Sequence, residues 1–309
     1  MNTLIKVVST GRYLPKKILS NKDLEEIVET SSEWIETRTG IMNRHVADLE
    51  TTSDMAANAA LAAIDKVKYD INNIDLIITA TISGDQQTPS TSNFIQEKIG
   101  LSHKHIMAFD INAACTGFIY ALEVASTLLQ TNKYKSALVI GAETLTKLVD
   151  YTDRNTCVLF GDGAGAMIIE QGEEPASFNN LSYPDKELVL TVKNNRIAMD
   201  GKKVYAFAVK AVEESINKIL KTAKLKQEDI DIFIPHQANI RIIQSVSKSM
   251  EIPMEKFFIN IRDYGNTSAA SIIIALDEYL ENHPSTQKRR ALLAGFGGGF
   301  TFGSAIITI

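Results

Sequence analysis

Three residues in this chain have side chains suited to covalent acyl chemistry: Cys115, His236 and Asn266. A thiol can attack a carbonyl carbon and keep the acyl group as a thioester. Cys115 stands in DINAACTGFIYALEVASTLL, where Phe118, Leu122, Ala125 and Leu129 recur at helical spacing. With Asn112 as N-cap, Cys115 falls in the first turn, where unpaired N–H groups and the helix dipole favour a thiolate. Ala113, Ala114, Thr116 and Gly117 leave the sulfur uncrowded. The competing reading is a buried cysteine that fills space as a small apolar residue. Cys157, in NTCVLFGDG, fits that second reading: an apolar strand is expected there, with nothing basic adjacent.

His236, in PHQANIRI, follows Pro235 at the exit of the strand-like run IDIFIP. The C-terminal ends of strands are where α/β proteins usually bind ligands. Asn266, in DYGNTSAAS, opens a second helical pattern. The remaining histidines, His45, His103, His105 and His283, lie in polar, loop-like contexts and are expected to be solvated. His103 and His105 form an HKH pair without the cysteines or carboxylates that would complete a metal site, so no metal is expected.

Two glycine runs, GDGAGA from Gly161 and GFGGGFTFG from Gly295, resemble phosphate loops at first sight. Both run into strand-like segments rather than helices, and neither spells GxGxxG or ends in Gly-Lys-Ser/Thr. Bare backbone amides brought near a reacting centre suit an oxyanion hole instead.

The elements that must position these residues are written twice. NAALAAIDKVKYDINNIDLIITA is answered by EESINKILKTAKLKQEDIDIFIPH, with Ile74 and Asp75 matching Ile230 and Asp231. TGFIYALEVASTLL is answered by SAASIIIALDEYL, YKSALVIGAE by KRRALLAGFG, and GDGAGAMIIE by TFGSAIITI. Gly141 thereby faces Gly295, and the Cys115 helix corresponds to the helix after Asn266. The expectation is two similar α/β halves, residues 1–170 and 171–309, divided near the polar stretch Glu170–Glu187. Each half supplies a sheet, with helices between and outside the sheets. Cys115 belongs to the first half; His236, Asn266 and the glycine run belong to the second.

Composition bounds the class. The chain has 309 residues, 45% hydrophobic and 22% charged, with a net charge of −5. That charge argues against general nucleic-acid binding. The apolar runs fall well short of the roughly 18 residues of a membrane span, and no secretory signal layout opens the chain. Two cysteines without an export signal point to a reducing compartment, so a cytoplasmic protein is expected.

These motifs together resemble the thiolase superfamily and, within it, the β-ketoacyl-acyl carrier protein synthase III family. The resemblance runs through TSSEWIETRTGI, AACTGFIYAL, DRNTCVLFGDGAGA, IPHQANIRII, YGNTSAAS and GFGGGFTFGSA in order. It implies a thiolase-like duplicated fold in α-β-α-β-α layers and a decarboxylative Claisen condensation. A primer, acetyl-CoA or another acyl-CoA, acylates Cys115, and malonyl-acyl carrier protein then condenses with it. By the same resemblance, the backbone N–H groups of Cys115 and Gly298 form the oxyanion hole, and His236 and Asn266 stabilise the enolate. Phe296 crowds the malonyl carboxylate. Trp34 and Arg154 hold the adenine of CoA, Arg38 a phosphate, and Gly201 and Asn239 the pantetheine. Arg241 and Lys248 are the candidate docking cations for an acidic carrier protein; the family's lysine is replaced by Ala206. Thr88 replaces a bulkier family residue on a loop expected to cap the partner's acyl pocket in a homodimer, a change that would admit longer or branched primers. No permanently bound cofactor is implied. A related acyltransferase of specialised metabolism, with another primer or acceptor, is the alternative; a non-catalytic acyl-binding subunit is disfavoured by the joint presence of Cys115, His236 and Asn266.

Overall fold

Side-chain alternation along the strands sorts the apolar residues into separate layers. Leu76 and Ile78 join a central core cluster, while Ile77 between them joins an outer one. In the second half Ile232 and Ile234 face the same central cluster, and Phe233 turns to a different outer one. Strands that are apolar on both faces must be covered on both faces, which requires helices on each side.

The computed structural model describes residues 3–309. Its main sheet contains nine strands: β1 (Thr3–Tyr13), β2 (Leu76–Ala80), β3 (Met107–Ile111), β4 (Ser136–Thr144), β5 (Asp162–Gln171), β6 (Glu174–Ser182), β7 (Ile232–Pro235), β8 (Arg290–Gly297) and β9 (Thr301–Thr308). The spatial order is β7-β8-β9-β6-β1-β5-β4-β2-β3. Outward from the middle, β1-β5-β4-β2 and β6-β9-β8-β7 have the same connectivity and the same sense of pairing. Where β3 extends the first series, the second has a single parallel bridge, Phe233 to Phe257. β1 and β6 join the two series over only three residue pairs, Thr3–Ala176 to Ile5–Glu174. Most of the polar stretch Glu170–Glu187 is therefore strand rather than linker.

The principal helices are α1 (Ser32–Thr39), α2 (Thr52–Val67), α3 (Thr91–Lys98), α4 (Gly117–Leu129), α5 (Gly201–Ala223), α6 (Ile240–Ser249) and α7 (Ser271–Asn282). α4 and α7 pack in the central layer against the inner faces of both strand series. α2 covers the outer face of the first, and α5 and α6 that of the second. The five layers are those of the thiolase-like fold. Caps fix where the outer helices begin: Thr51 and Asp54 close a capping box on α2, and the Asp200 carboxylate accepts from the N–H groups of Lys202 and Lys203. No helix among the described residues is long and apolar enough to cross a membrane.

Candidate active site

The duplication brings two helix openings together. Before α4 lies a 3-10 turn, Ala114–Thr116; before α7 lies another, Ser268–Ala270, packed against it. Each turn begins at a non-glycine residue in the left-handed region, Ala114 at φ 48° and Ser268 at φ 48°. Such backbone is costly for an L-residue and is held here by the same device twice. The Oδ1 of Asn266 accepts the Ser268 N–H at 2.9 Å, and the Oδ1 of Asn112 accepts the Ala114 N–H at 3.4 Å.

This corrects the expected cap. Asn112 does not cap α4, which starts at Gly117 with Thr116 in the cap position; Cys115 sits in the preceding turn. The left-handed Ala114 interrupts the helical path that periodicity alone suggests. Cys157 also differs from expectation, closing the short helix Arg154–Cys157 rather than lying in a strand. His45 is half-buried in the short strand Asn43–Val46, with its Nδ1 2.6 Å from the Pro15 carbonyl.

Cys115, His236, Asn266 and Phe296 line a cleft of about 520 Å³. His236 lies directly beyond β7, and its backbone N–H donates to the Ala294 carbonyl of β8 at 2.7 Å. Its Nδ1 is 2.6 Å from the Ser271 hydroxyl, and its buried Nε2 has no partner among the described residues. The Phe296 ring meets the imidazole edge-on, with centroids 5.3 Å apart. Burial lowers the His236 pKa to about 3, so the imidazole is neutral at physiological pH. Because the Asn266 oxygen is occupied by Ser268, its amide nitrogen is the group left to donate into the cleft.

Cys115 is only 8% exposed. Burial pushes its thiol up to about 12; the Ser268 hydroxyl pulls the other way, and the negative charge of Glu143 adds to the rise. The resting group is thus the thiol, contrary to the thiolate expected from a helix terminus, because desolvation outweighs the Ser268 hydroxyl and the backbone hydrogen bond that favour the anion. Two residues that the sequence reading did not name individually bear on it. Glu143, at the end of β4, has no solvent exposure, and burial raises its pKa to about 7. It accepts from the Thr81 hydroxyl at 3.2 Å, the Ile82 N–H at 3.1 Å, and the Ser83 hydroxyl. Gly297 is the other: a Cβ there would stand 2.7 Å from the Cys115 nitrogen and 3.0 Å from the Ala114 Cβ. A carboxylate ending an apolar strand was the available signal for Glu143, and the equivalence of YKSALVIGAE with KRRALLAGFG that for Gly297.

Trp34, Arg38, Gly201 and Asn239 also line the first cleft. Asn239 caps α6, accepting the Arg241 N–H at 2.9 Å and donating to the Arg38 carbonyl at 3.0 Å. Arg154 lies over the Trp34 ring, 4.9 Å from its centroid, and donates to the Glu29 carbonyl at 3.1 Å. A flat base sandwiched between them would need them roughly 7 Å apart. Arg241 and Lys248 are both exposed, seven residues apart on α6, with Arg241 5.7 Å from the Tyr205 ring centroid. A second cleft, of about 590 Å³, shares Cys115, Phe160 and Leu190 with the first. It is mostly apolar, with Ile82, Leu145, Val192, Ile197 and Gly298 among the residues lining its wall. The ribbon of Leu190–Lys193 and Arg196–Met199 contributes to that wall. Thr88 stands exposed on its loop and lines neither cleft.

Two sequence-family models match the chain: "3-Oxoacyl-[acyl-carrier-protein (ACP)] synthase III" over residues 109–183 and its C-terminal counterpart over residues 220–309. A curated protein of Acholeplasma laidlawii, named β-ketoacyl-[acyl-carrier-protein] synthase III, is 51% identical, the alignment covering 100% of this chain and 99% of the relative. One of the same name from Clostridium acetobutylicum is 44% identical over 98% of both. Among solved structures, the 3-oxoacyl-[acyl-carrier-protein] synthase III of Aquifex aeolicus superposes with a TM-score of 0.95 at 43% identity, over 99% of this chain and 100% of that one.

Proposed function

Because this chain belongs to the β-ketoacyl-acyl carrier protein synthase III family, we propose that it catalyses the condensation that initiates fatty acid synthesis. The reaction joins an acyl-CoA primer, acetyl-CoA being the first candidate, to malonyl-acyl carrier protein. It gives a 3-oxoacyl-acyl carrier protein, CO₂ and CoA. The observation that carries this reading is the convergence of Cys115, the free Nε2 of His236 and the amide of Asn266 on one cleft.

In the first half-reaction the Cys115 sulfur attacks the thioester carbon, and CoA leaves with the thiol proton. The N–H groups of Cys115 and Gly298 are assigned to the tetrahedral oxyanion. In the second, malonyl-acyl carrier protein loses CO₂, assisted by Phe296 against its carboxylate. The enolate oxygen accepts hydrogen bonds from His236 and Asn266, and its carbon attacks the acyl group on Cys115, breaking the thioester and releasing the Cys115 sulfur, which takes up a proton from solvent to restore the thiol. A neutral His236 and an amide with its oxygen already engaged suit two donor roles.

CoA is assigned to the first cleft, with Trp34 and Arg154 parting to admit the adenine, Arg38 at a phosphate, and Gly201 and Asn239 along the pantetheine. The apolar second cleft suits the primer chain. Arg241 and Lys248 are assigned to the acidic carrier protein. We take residues 1–170 and 171–309 as the duplicated halves, on the likeness of their strand orders. A cytoplasmic homodimer without a permanent cofactor completes the reading; the half-exposed edge strand β3 offers a surface for a second copy, against which the Thr88 loop would cap the acyl pocket.

Intact-mass spectrometry after exposure to acetyl-, butyryl- and isobutyryl-CoA tests the proposal. The expected result is a single acyl adduct that disappears in Cys115→Ala, followed by CO₂ release on adding malonyl-acyl carrier protein. Absence of any adduct would sink it. Acceptance of the longer or branched primers is expected from Thr88, and strict acetyl preference would remove that part.

A further inference from the structure

The role given to His236 requires a proton on one particular nitrogen. A neutral imidazole carries a single N–H, on Nδ1 or on Nε2. His236 lines the cleft, and its Nε2 is buried without a partner among the described residues; Nδ1 lies 2.6 Å from the hydroxyl of Ser271, the first residue of α7. That hydroxyl oxygen already accepts the Gln237 N–H at 3.3 Å. Its own proton has one acceptor within reach among the described residues, the Nδ1 lone pair. We propose that Ser271 is a positioning residue: its hydroxyl donates to Nδ1 and holds His236 as the Nε2–H tautomer, a hydrogen-bond donor towards the cleft.

The duplicated half provides an internal comparison. Matching IDLIITA with IDIFIPH sets Ala80 against His236, and matching TGFIYALEV with NTSAASIIIALDE sets Gly117 against Ser271. The same contact exists there without polar atoms: a Cβ on Gly117 would stand 2.9 Å from the Ala80 Cβ. The fold thus needs only that strand end and helix opening touch. The hydroxyl and the imidazole are additions made in one copy. Ser271 and His236 are 2% and 3% exposed, so water does not readily replace the hydroxyl as a donor to Nδ1. The neutral state imposed by burial is what makes the tautomer decisive, since a protonated ring would donate from both nitrogens.

This inference rests on the condensing reading of His236, and the test keeps the two apart. Ser271→Ala and His236→Ala are compared in two assays, acylation of Cys115 and decarboxylation of malonyl-acyl carrier protein. In a hydrolytic triad, loss of the tautomer-setting partner costs on the order of 10⁴. Here a ring that samples both tautomers should lose about 10- to 100-fold in decarboxylation, with acylation within about twofold. If His236→Ala lowers decarboxylation and Ser271→Ala does not, the role of Ser271 falls. If His236→Ala itself leaves decarboxylation unchanged, the reading of His236 falls instead. Nitrogen-15 NMR of histidine-labelled wild-type enzyme, with His236 assigned by its loss in His236→Ala, reads the tautomer directly even if Ser271→Ala does not fold. A protonated Nε2 is expected, and a protonated Nδ1 overturns the proposal.

Discussion

Asn112 and Asn266 hold the same post in the two halves, each two residues ahead of a left-handed residue whose backbone N–H its side-chain oxygen accepts. The pair explains how an asparagine can be aimed at a substrate without a dedicated partner. The hydrogen bond that stabilises the turn at Ser268 also consumes the Asn266 oxygen, and the NH₂ group points elsewhere by default.

Asn266→Asp preserves that turn, since a carboxylate accepts the Ser268 N–H equally well, yet it removes the donor. Condensation should fall on the order of 10²–10³-fold, the scale of a lost oxyanion donor, while Cys115 still acylates. Stopped-flow CoA release and product formation separate the two steps. Equal losses in both would argue that Asn266 serves the turn alone.

Burial of Cys115 sets a pH signature. With the thiol pushed up to about 12, the thiolate fraction of the free enzyme should rise roughly tenfold per pH unit. Alkylation by a small neutral reagent should climb that way up to about pH 10 without levelling off. A plateau near neutral pH would mean that the turn stabilises a thiolate after all.

Gly297→Ala tests the approach of β8 to the nucleophile. The added methyl would meet the Cys115 nitrogen at 2.7 Å, so the turn or the strand must shift. A displacement near 1 Å at a reacting centre costs about 10²-fold, and acylation should drop by that order in a folded protein. Circular dichroism and the acylation burst distinguish misplacement from unfolding; an unaffected burst would contradict the contact.

Glu143 contributes a pH-dependent instability. Its carboxyl holds a proton more tightly in the folded chain, at about 7 against an ordinary 4.5, so unfolding releases that proton between these values. Stability from this group is greatest at low pH, falls as pH rises through the window, and stays low above it. Glu143→Gln removes the dependence. Between about pH 5 and about pH 8 the wild type should lose on the order of 3 kcal/mol relative to the variant in denaturant titrations. Parallel pH curves for the two proteins would refute this.

The parts of the fold legible in the sequence were those written in periodicity and repetition. The matches of Asp75 with Asp231 and Gly141 with Gly295 foreshadow the strand orders, because a buried strand and its flanking helix have a compositional pattern. Cys115, His236 and Asn266 were legible because few residue types do acyl chemistry. The left-handed Ala114 was not, since alanine carries no preference for that backbone and only the packing of the two turns imposes it. Nor was the rise in the Cys115 pKa, which depends on how completely residues distant in sequence exclude water. The contribution of the 190–199 ribbon to the second cleft was hidden for a similar reason: the apolar residues of a short hairpin, Leu190, Val192 and Ile197 here, do not announce what they cover.

The two clefts share Cys115, Phe160 and Leu190, and with CoA in the first and the primer chain in the second, as proposed, this junction sets an order of traffic. Once an acyl chain is tethered to the sulfur and threaded into the rear chamber, its former carrier has no further hold and must vacate the front passage. The next carrier's arm can then use the passage just emptied. On the proposed assignment the two carriers use one doorway in turn, and double-displacement kinetics are the expected result. Spent CoA should accordingly compete with the incoming malonyl carrier for the doorway, leaving the tethered chain undisturbed.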